Sequence, residues 1–218
     1  MGIRQPKKFV FSRSVPEISS DLPAATGFAD GHDIAIAGQW ITGIDMRGRA
    51  GSTLRVEASV LERVNLGESG FGSIVLKDVR LIGCELANLR TRGFTLTRVE
   101  FIDCRMTGLS GGVVDARDVL IREGDQRYCQ FRFSRFKAAE FDSCNFEESD
   151  FQDTDFTGAV FRRCNMRNVE MGKAKLYDAD LRGSMVEGMQ IGLEGLRGAV
   201  VDPAQAMSLA LLMGIRIE

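Results

Sequence analysis

The residues best suited to chemistry in this sequence are five cysteines, one histidine and a crowded run of carboxylates. Cys84, Cys104, Cys144 and Cys164 are separated by multiples of twenty, and Cys129 stands outside that series. Thiolates in a row are soft-metal ligands in principle. Structural zinc, however, gathers its thiolates from CxxC-type spacings into a tetrahedron, and a linear series does not converge that way. The cysteines therefore read as small core residues, with Gly124 at the missing step. His32, the only histidine, reads as a surface or capping residue, no Ser/His/Asp candidate set stands out, and no glycine-rich phosphate loop occurs. The sequence gives no reason to expect a metal, a cofactor or catalysis. Adjacent carboxylates such as Glu147 and Glu148 read as solvated charges on an outer face.

A period of five organises these residues. Phe141, Phe146, Phe151, Phe156 and Phe161 are evenly spaced, and Phe131 and Phe136 extend the ladder backward. On a helix, five steps turn about 140° from the start, so the rings would scatter. On a flat strand, alternate rings would fall on opposite faces. The series runs on through Met166, Met171, Leu176 and Leu181 to Val201, and back through Phe101, Leu81 and Leu61 to Ile36. A small residue sits two places before each large one in the C-terminal half, as at Ser134, Ala139, Cys144 and Ser149. A chain that buries two positions in five must turn a corner every five residues. Four such sides close a square coil of twenty, and coils then stack about 4.8 Å apart. The cysteine spacing supports this independently, because it places four thiols in one column on one side.

Segments such as Ala179-Asp180-Leu181-Arg182-Gly183 match the loose consensus A(D/N)LXX of the pentapeptide-repeat proteins. Ser149-Asp150-Phe151-Gln152-Asp153 and Thr154-Asp155-Phe156-Thr157-Gly158 are close variants. The chain resembles that family over about three quarters of its length by the five-residue period. The resemblance implies an all-β solenoid, a right-handed quadrilateral β-helix, here over 34–201. Residues 1–33 read as an irregular N-terminal segment or cap, and 202–218 as a C-terminal helix and tail. Asp202 reads as a helix N-cap, Pro203 as the first helical residue, Gln205 as the partner in a capping box and Gly214 as the stop. The intervening AQAMSLALLM is apolar on nearly all sides, so one side should cover the last coil and the other should meet a second subunit. Met207, Leu209, Ala210, Leu211, Leu212 and Met213 are the expected homodimer contacts, and Ile215 to Glu218 is a candidate edge strand. The irregular stretch 108–127 is expected to stay in register as a degenerate coil, with 122–127 protruding slightly.

The formal net charge is −2, which by itself favours neither a nucleic-acid binder nor an acidic tail. The opening MGIRQPKKFVFSRS lacks the apolar run of a secretory signal, and no stretch is long enough to span a bilayer. A cytoplasmic protein with reduced thiols is the expectation. Acids concentrate in one place: Glu140, Asp142, Glu147, Glu148, Asp150, Asp153 and Asp155, with no Lys or Arg between 138 and 161. A rigid rod about 40 Å long carrying fixed acids can imitate duplex DNA. The resemblance implies a further step, since several bacterial pentapeptide-repeat dimers are DNA mimics. These bind DNA gyrase, and sometimes topoisomerase IV, and protect it from poisons as resistance or self-immunity factors. Such a protein needs no direct contact with nucleic acid and no membrane. The competing expectation is a non-catalytic scaffold with another protein partner.

Overall fold

A computed structural model describes residues 11–25, 27 and 31–217. Among the described residues, nine parallel strands make one continuous sheet that winds into a coil: β1 (Ala24–Ala25), β2 (Asp33–Ala37), β3 (Trp40–Thr42), β4 (Ala50–Glu62), β5 (Gly70–Ile82), β6 (Arg90–Ile102), β7 (Val113–Arg122), β8 (Arg135–Asp142) and β9 (Val160–Arg162). From β2 onward, every paired residue meets the one twenty positions later. Leu61, Leu81, Phe101, Ile121, Phe141 and Phe161 form one such line. Beyond β9 the same register continues as single parallel bridges, Asn145 to Asn165 to Met185 and Asp180 to Val200. There each corner is a turn, which leaves one bridge residue on each side.

The inward column predicted from the period is the core. Ile36, Met46, Val56, Leu66, Leu76, Leu86, Leu96 and Met106 are buried, as is every ladder phenylalanine from Phe131 to Phe161. Rings twenty residues apart stack, Phe136 on Phe156 with centroids 5.0 Å apart and Phe141 on Phe161 at 4.6 Å. Rings five apart meet edge to face, as Phe151 and Phe156 do at 5.3 Å. Offset stacks and T-shaped contacts are the two favoured aromatic geometries, and a four-sided coil supplies both.

Two local devices turn the corners. Most corners hold a residue with left-handed backbone two places after the inward large residue, such as Asp78 (φ 55°), Arg98 (φ 51°) and Glu148 (φ 56°). An acid or asparagine just before the large residue then accepts the N–H of the residue just after it. Asp45 does so for Arg47 at 2.9 Å, Asp150 for Gln152 at 3.0 Å and Asp180 for Arg182 at 3.1 Å. This side-chain turn is the physical reason for the D/N position of the repeat.

The stretch 108–127 is an in-register coil, with Ala116 and Ile121 buried and bridges on both sides of Asp125. Residues 122–127 follow the coil and do not protrude. The C-terminal cap is α1 (Leu193–Leu196) and α2 (Pro203–Leu212). The Asp202–Gln205 capping box is formed, and the buried Gln205 amide also donates to the carbonyls of Leu181 and Ser184. Gly214 (φ 77°) ends α2, its N–H donating to Leu211 O. Residues 215–217 form no strand, which corrects the expected edge strand; Glu218 lies outside the described residues. The N-terminal segment is also corrected in part. Residues 11–23 neither trail nor sit over the first coil, but lie along the side of the rod. Residues 1–10 lie outside the described ones.

Candidate interaction surface

The structure puts the seven belt acids in a single coil, where they occupy all four sides and do not form a stripe along the rod. Glu140 and Asp142 lie on the side of Phe141, Glu147 and Glu148 on that of Phe146, Asp150 and Asp153 on that of Phe151, and Asp155 on that of Phe156. A surface approaching from one direction meets two sides at most.

Arginines from neighbouring coils answer several of these acids. Asp142 pairs with Arg163 and lies 3.7 Å from Arg122. Arg162 lies 3.2 Å from Glu140, and Arg132 donates to Asp150 at 2.6 Å. Asp150 and Asp155 also hold their own turns, accepting from the N–H groups of Gln152 and Thr157. Burial works against the charge of Asp155, but the hydrogen bonds from Thr157 outweigh it and hold the carboxyl below its usual range. Among the described residues, Glu147, Glu148 and Asp153 form neither an ion pair nor a turn bond. Glu148 and Asp153 are exposed corner residues that flank the side carrying Phe151. The sequence located the acids. It could not show which were already used, because their partners lie about twenty residues away.

The thiols are buried as one column, with Cys129 on the next side. Each donates to a carbonyl of the preceding coil, Cys144 to Ile121 at 3.2 Å and Cys129 to Met106 at 3.2 Å. Burial pushes the Cys129 and Cys144 thiols up; contact with Cys84, then burial, does the same to Cys104. Cys129 and Cys144 thus stay protonated, and a protonated, buried thiol is a poor ligand and nucleophile. Among the described residues no group of three or more His, Cys, Asp or Glu side chains is placed to hold a metal ion. His32 is exposed, and the Trp40 indole donates to Glu62 at 3.1 Å. No helix among the described residues is long and apolar enough to cross a membrane.

At the C-terminal end, Gln205 and Leu209 face the last coil. Leu209 is thus turned inward, away from the outward set. Met207, Leu211, Leu212 and Met213 are exposed, as are Ile215 and Ile217 beyond them, so the outer side of α2 and its tail is an apolar end surface.

No curated protein matches the sequence. The family model for pentapeptide repeats matches residues 129–168 and 144–183, with eight copies. Among solved structures, trypsin-treated QnrB1, a plasmid-mediated fluoroquinolone resistance protein, is similar in fold. It has a TM-score of 0.54 and 15% identity, covering 91% of this chain and 100% of that one. HetL, a pentapeptide repeat protein involved in heterocyst differentiation regulation from the cyanobacterium Nostoc sp. strain PCC 7120, matches with a TM-score of 0.38 and 17% identity. That match covers 77% of this chain and 89% of HetL. Residues 129–183 are pentapeptide repeats, the same register runs through the coils on either side, and the fold is that of the pentapeptide-repeat proteins.

Proposed function

We propose that this protein is a DNA mimic that binds DNA gyrase and protects it from topoisomerase poisons, as a resistance or self-immunity factor. The observation that carries the reading is a rigid rod of duplex-like length whose exposed corner acids Glu148 and Asp153 form no ion pair among the described residues. About eight coils rise about 40 Å, matched by roughly twelve base pairs of duplex. Pairing through the exposed side of α2, with Met207, Leu211, Leu212 and Met213 in the contact, would double that length in a two-fold homodimer. Of the belt acids, Glu147, Glu148 and Asp153 form no ion pair among the described residues and would meet the cations of a DNA-gripping surface. The fluoroquinolone resistance attributed to QnrB1 agrees with this reading. Topoisomerase IV, which grips DNA in the same way, is a second target of the same chemistry.

The test is a gyrase supercoiling and cleavage assay with purified protein, run with and without a quinolone and a natural-product poison. Restored supercoiling with fewer cleaved complexes supports protection. No rescue with any poison, and no inhibition at high protein, rejects it.

One observation favours a second reading, a non-catalytic scaffold for another protein partner. Several acids on the rod are already answered by arginines one coil away, including Glu85 by Arg105 and Glu187 by Arg167. Such a surface is closer to neutral than a duplex. A pull-down that recovers a specific partner other than a topoisomerase, together with a negative gyrase assay, supports the scaffold.

A further inference from the structure

Residues 11–23 form no strand, yet they are anchored along the rod at several levels. The Arg13 guanidinium donates to Glu100 Oε1 at 2.7 Å and lies 3.9 Å from Glu140. The Ser14 N–H donates to Asp118 Oδ1 and the Glu17 N–H to Asp78 Oδ1, both at 2.9 Å. The Pro23 carbonyl accepts from the Trp40 N–H at 2.9 Å, and β1 then pairs with β3. Asp78 and Asp118 share one corner column, and Glu100 and Glu140 share the column beside it. The segment therefore runs parallel to the rod axis, against the order of the coils, from the coil of Glu140 down to that of Trp40. Those five coil steps span about 24 Å, within the roughly 33 Å that ten extended residues can reach. Pro16 is buried, as are Val60 and Leu120 at outward positions of the column the segment crosses.

A solenoid coil touches only its neighbours, so its stability is a chain of nearest-neighbour terms and its ends open first. The coils over 33–62 are the end at risk. They lie far from the phenylalanine ladder, and Gly51 leaves one inward position empty of side chain. We propose that residues 11–23 are a longitudinal tie that couples these first coils to the central coils bearing Glu100, Asp118 and Glu140, so that the first coils open together with the centre. The upper anchors lie several coils away from the strands they protect. Chain continuity and the β1–β3 pairing complete the link at the lower end.

Hydrogen exchange read by mass spectrometry on the full chain tests this. Arg13→Ala removes one upper anchor and leaves Glu100 its hydrogen bond from Arg80. Asp118→Gly removes another, and glycine accepts the left-handed corner (φ 56°) without strain. The expected result is a loss of protection of about tenfold in β2–β4 in either variant, with peptides across 131–161 unchanged. Asp103→Gly is the control, a corner (φ 52°) on a column the strap does not touch, and it should leave β2–β4 at the wild-type level. Loss confined to the coils adjoining residue 118, with β2–β4 unchanged in both variants, overturns the proposal. An equal loss in the Asp103→Gly control overturns it too.

Discussion

Gln126 sits where the register demands a large apolar side chain, between Met106 one coil before and Phe146 one coil after. It is fully buried, and neither its amide nitrogen nor its amide oxygen has a hydrogen-bond partner among the described residues. The amide fits because Gly124 has no side chain: a Cβ there would lie 2.0 Å from Gln126 Nε2. An unsatisfied buried polar group costs about 1–3 kcal/mol. Gln126→Met keeps an unbranched chain of similar size and removes both orphan atoms, so it should stabilise by about 2 kcal/mol. For a chain of this length that is a rise of about 4–8 °C in the midpoint measured by scanning calorimetry. Gly124→Ala should destabilise strongly, because its Cβ also falls 2.6 Å from the Cys104 carbonyl oxygen. In the Gln126→Met background the same change should cost less without becoming neutral, since the flexible thioether yields and the carbonyl does not. A double-mutant cycle reads that coupling directly. An unchanged or lower midpoint for Gln126→Met would refute the reasoning, because it would mean that the amide is satisfied in solution.

Phe146→Ala should cost about 3–5 kcal/mol, read in the same melts, because it opens a cavity between Phe141, Phe151 and Phe161. Phe133 is exposed in a left-handed corner (φ 55°), so Phe133→Gly should stabilise by about 1 kcal/mol, and Phe133→Val, branched at Cβ, should destabilise. The bidentate Arg98 guanidinium, with the Glu17 N–H, holds the Asp78 carboxyl below its usual range. The stability from this pair is present above the ordinary carboxylate pKa of about 4 and is lost as pH falls through the lower folded value. Asp78→Asn should therefore flatten the acid limb of a midpoint-against-pH curve and leave its slope near neutrality unchanged. Glu147→Lys, Glu148→Lys and Asp153→Lys together should weaken gyrase binding at least about tenfold without lowering the melting midpoint. Equal binding by that triple variant would remove these acids from the contact. Leu211→Glu should shift light-scattering mass from dimer to monomer, and an already monomeric wild type would reject pairing through α2.

The sequence by itself determined the coil. A five-residue period with two buried positions admits one backbone solution, so Ile36 to Val201 could be assigned inward before any coordinates existed, and the capping box at Asp202 and Gln205 was equally plain. These features are local, repeated and dictated by burial. What the tertiary structure decided is which polar side chains meet across the stack. The four-sided coil already spreads the belt acids over different sides, but only the structure shows which of them are answered. Their arginine partners come from coils about twenty residues away, where no short-range pattern points. Leu209 turns inward while Leu211 turns outward because only one side of α2 meets the last coil. Residues 11–23 have no repeat and no periodicity to read. Their place along the rod is set by carboxylates at Asp78, Glu100, Asp118 and Glu140, which become neighbours only once the coils have stacked.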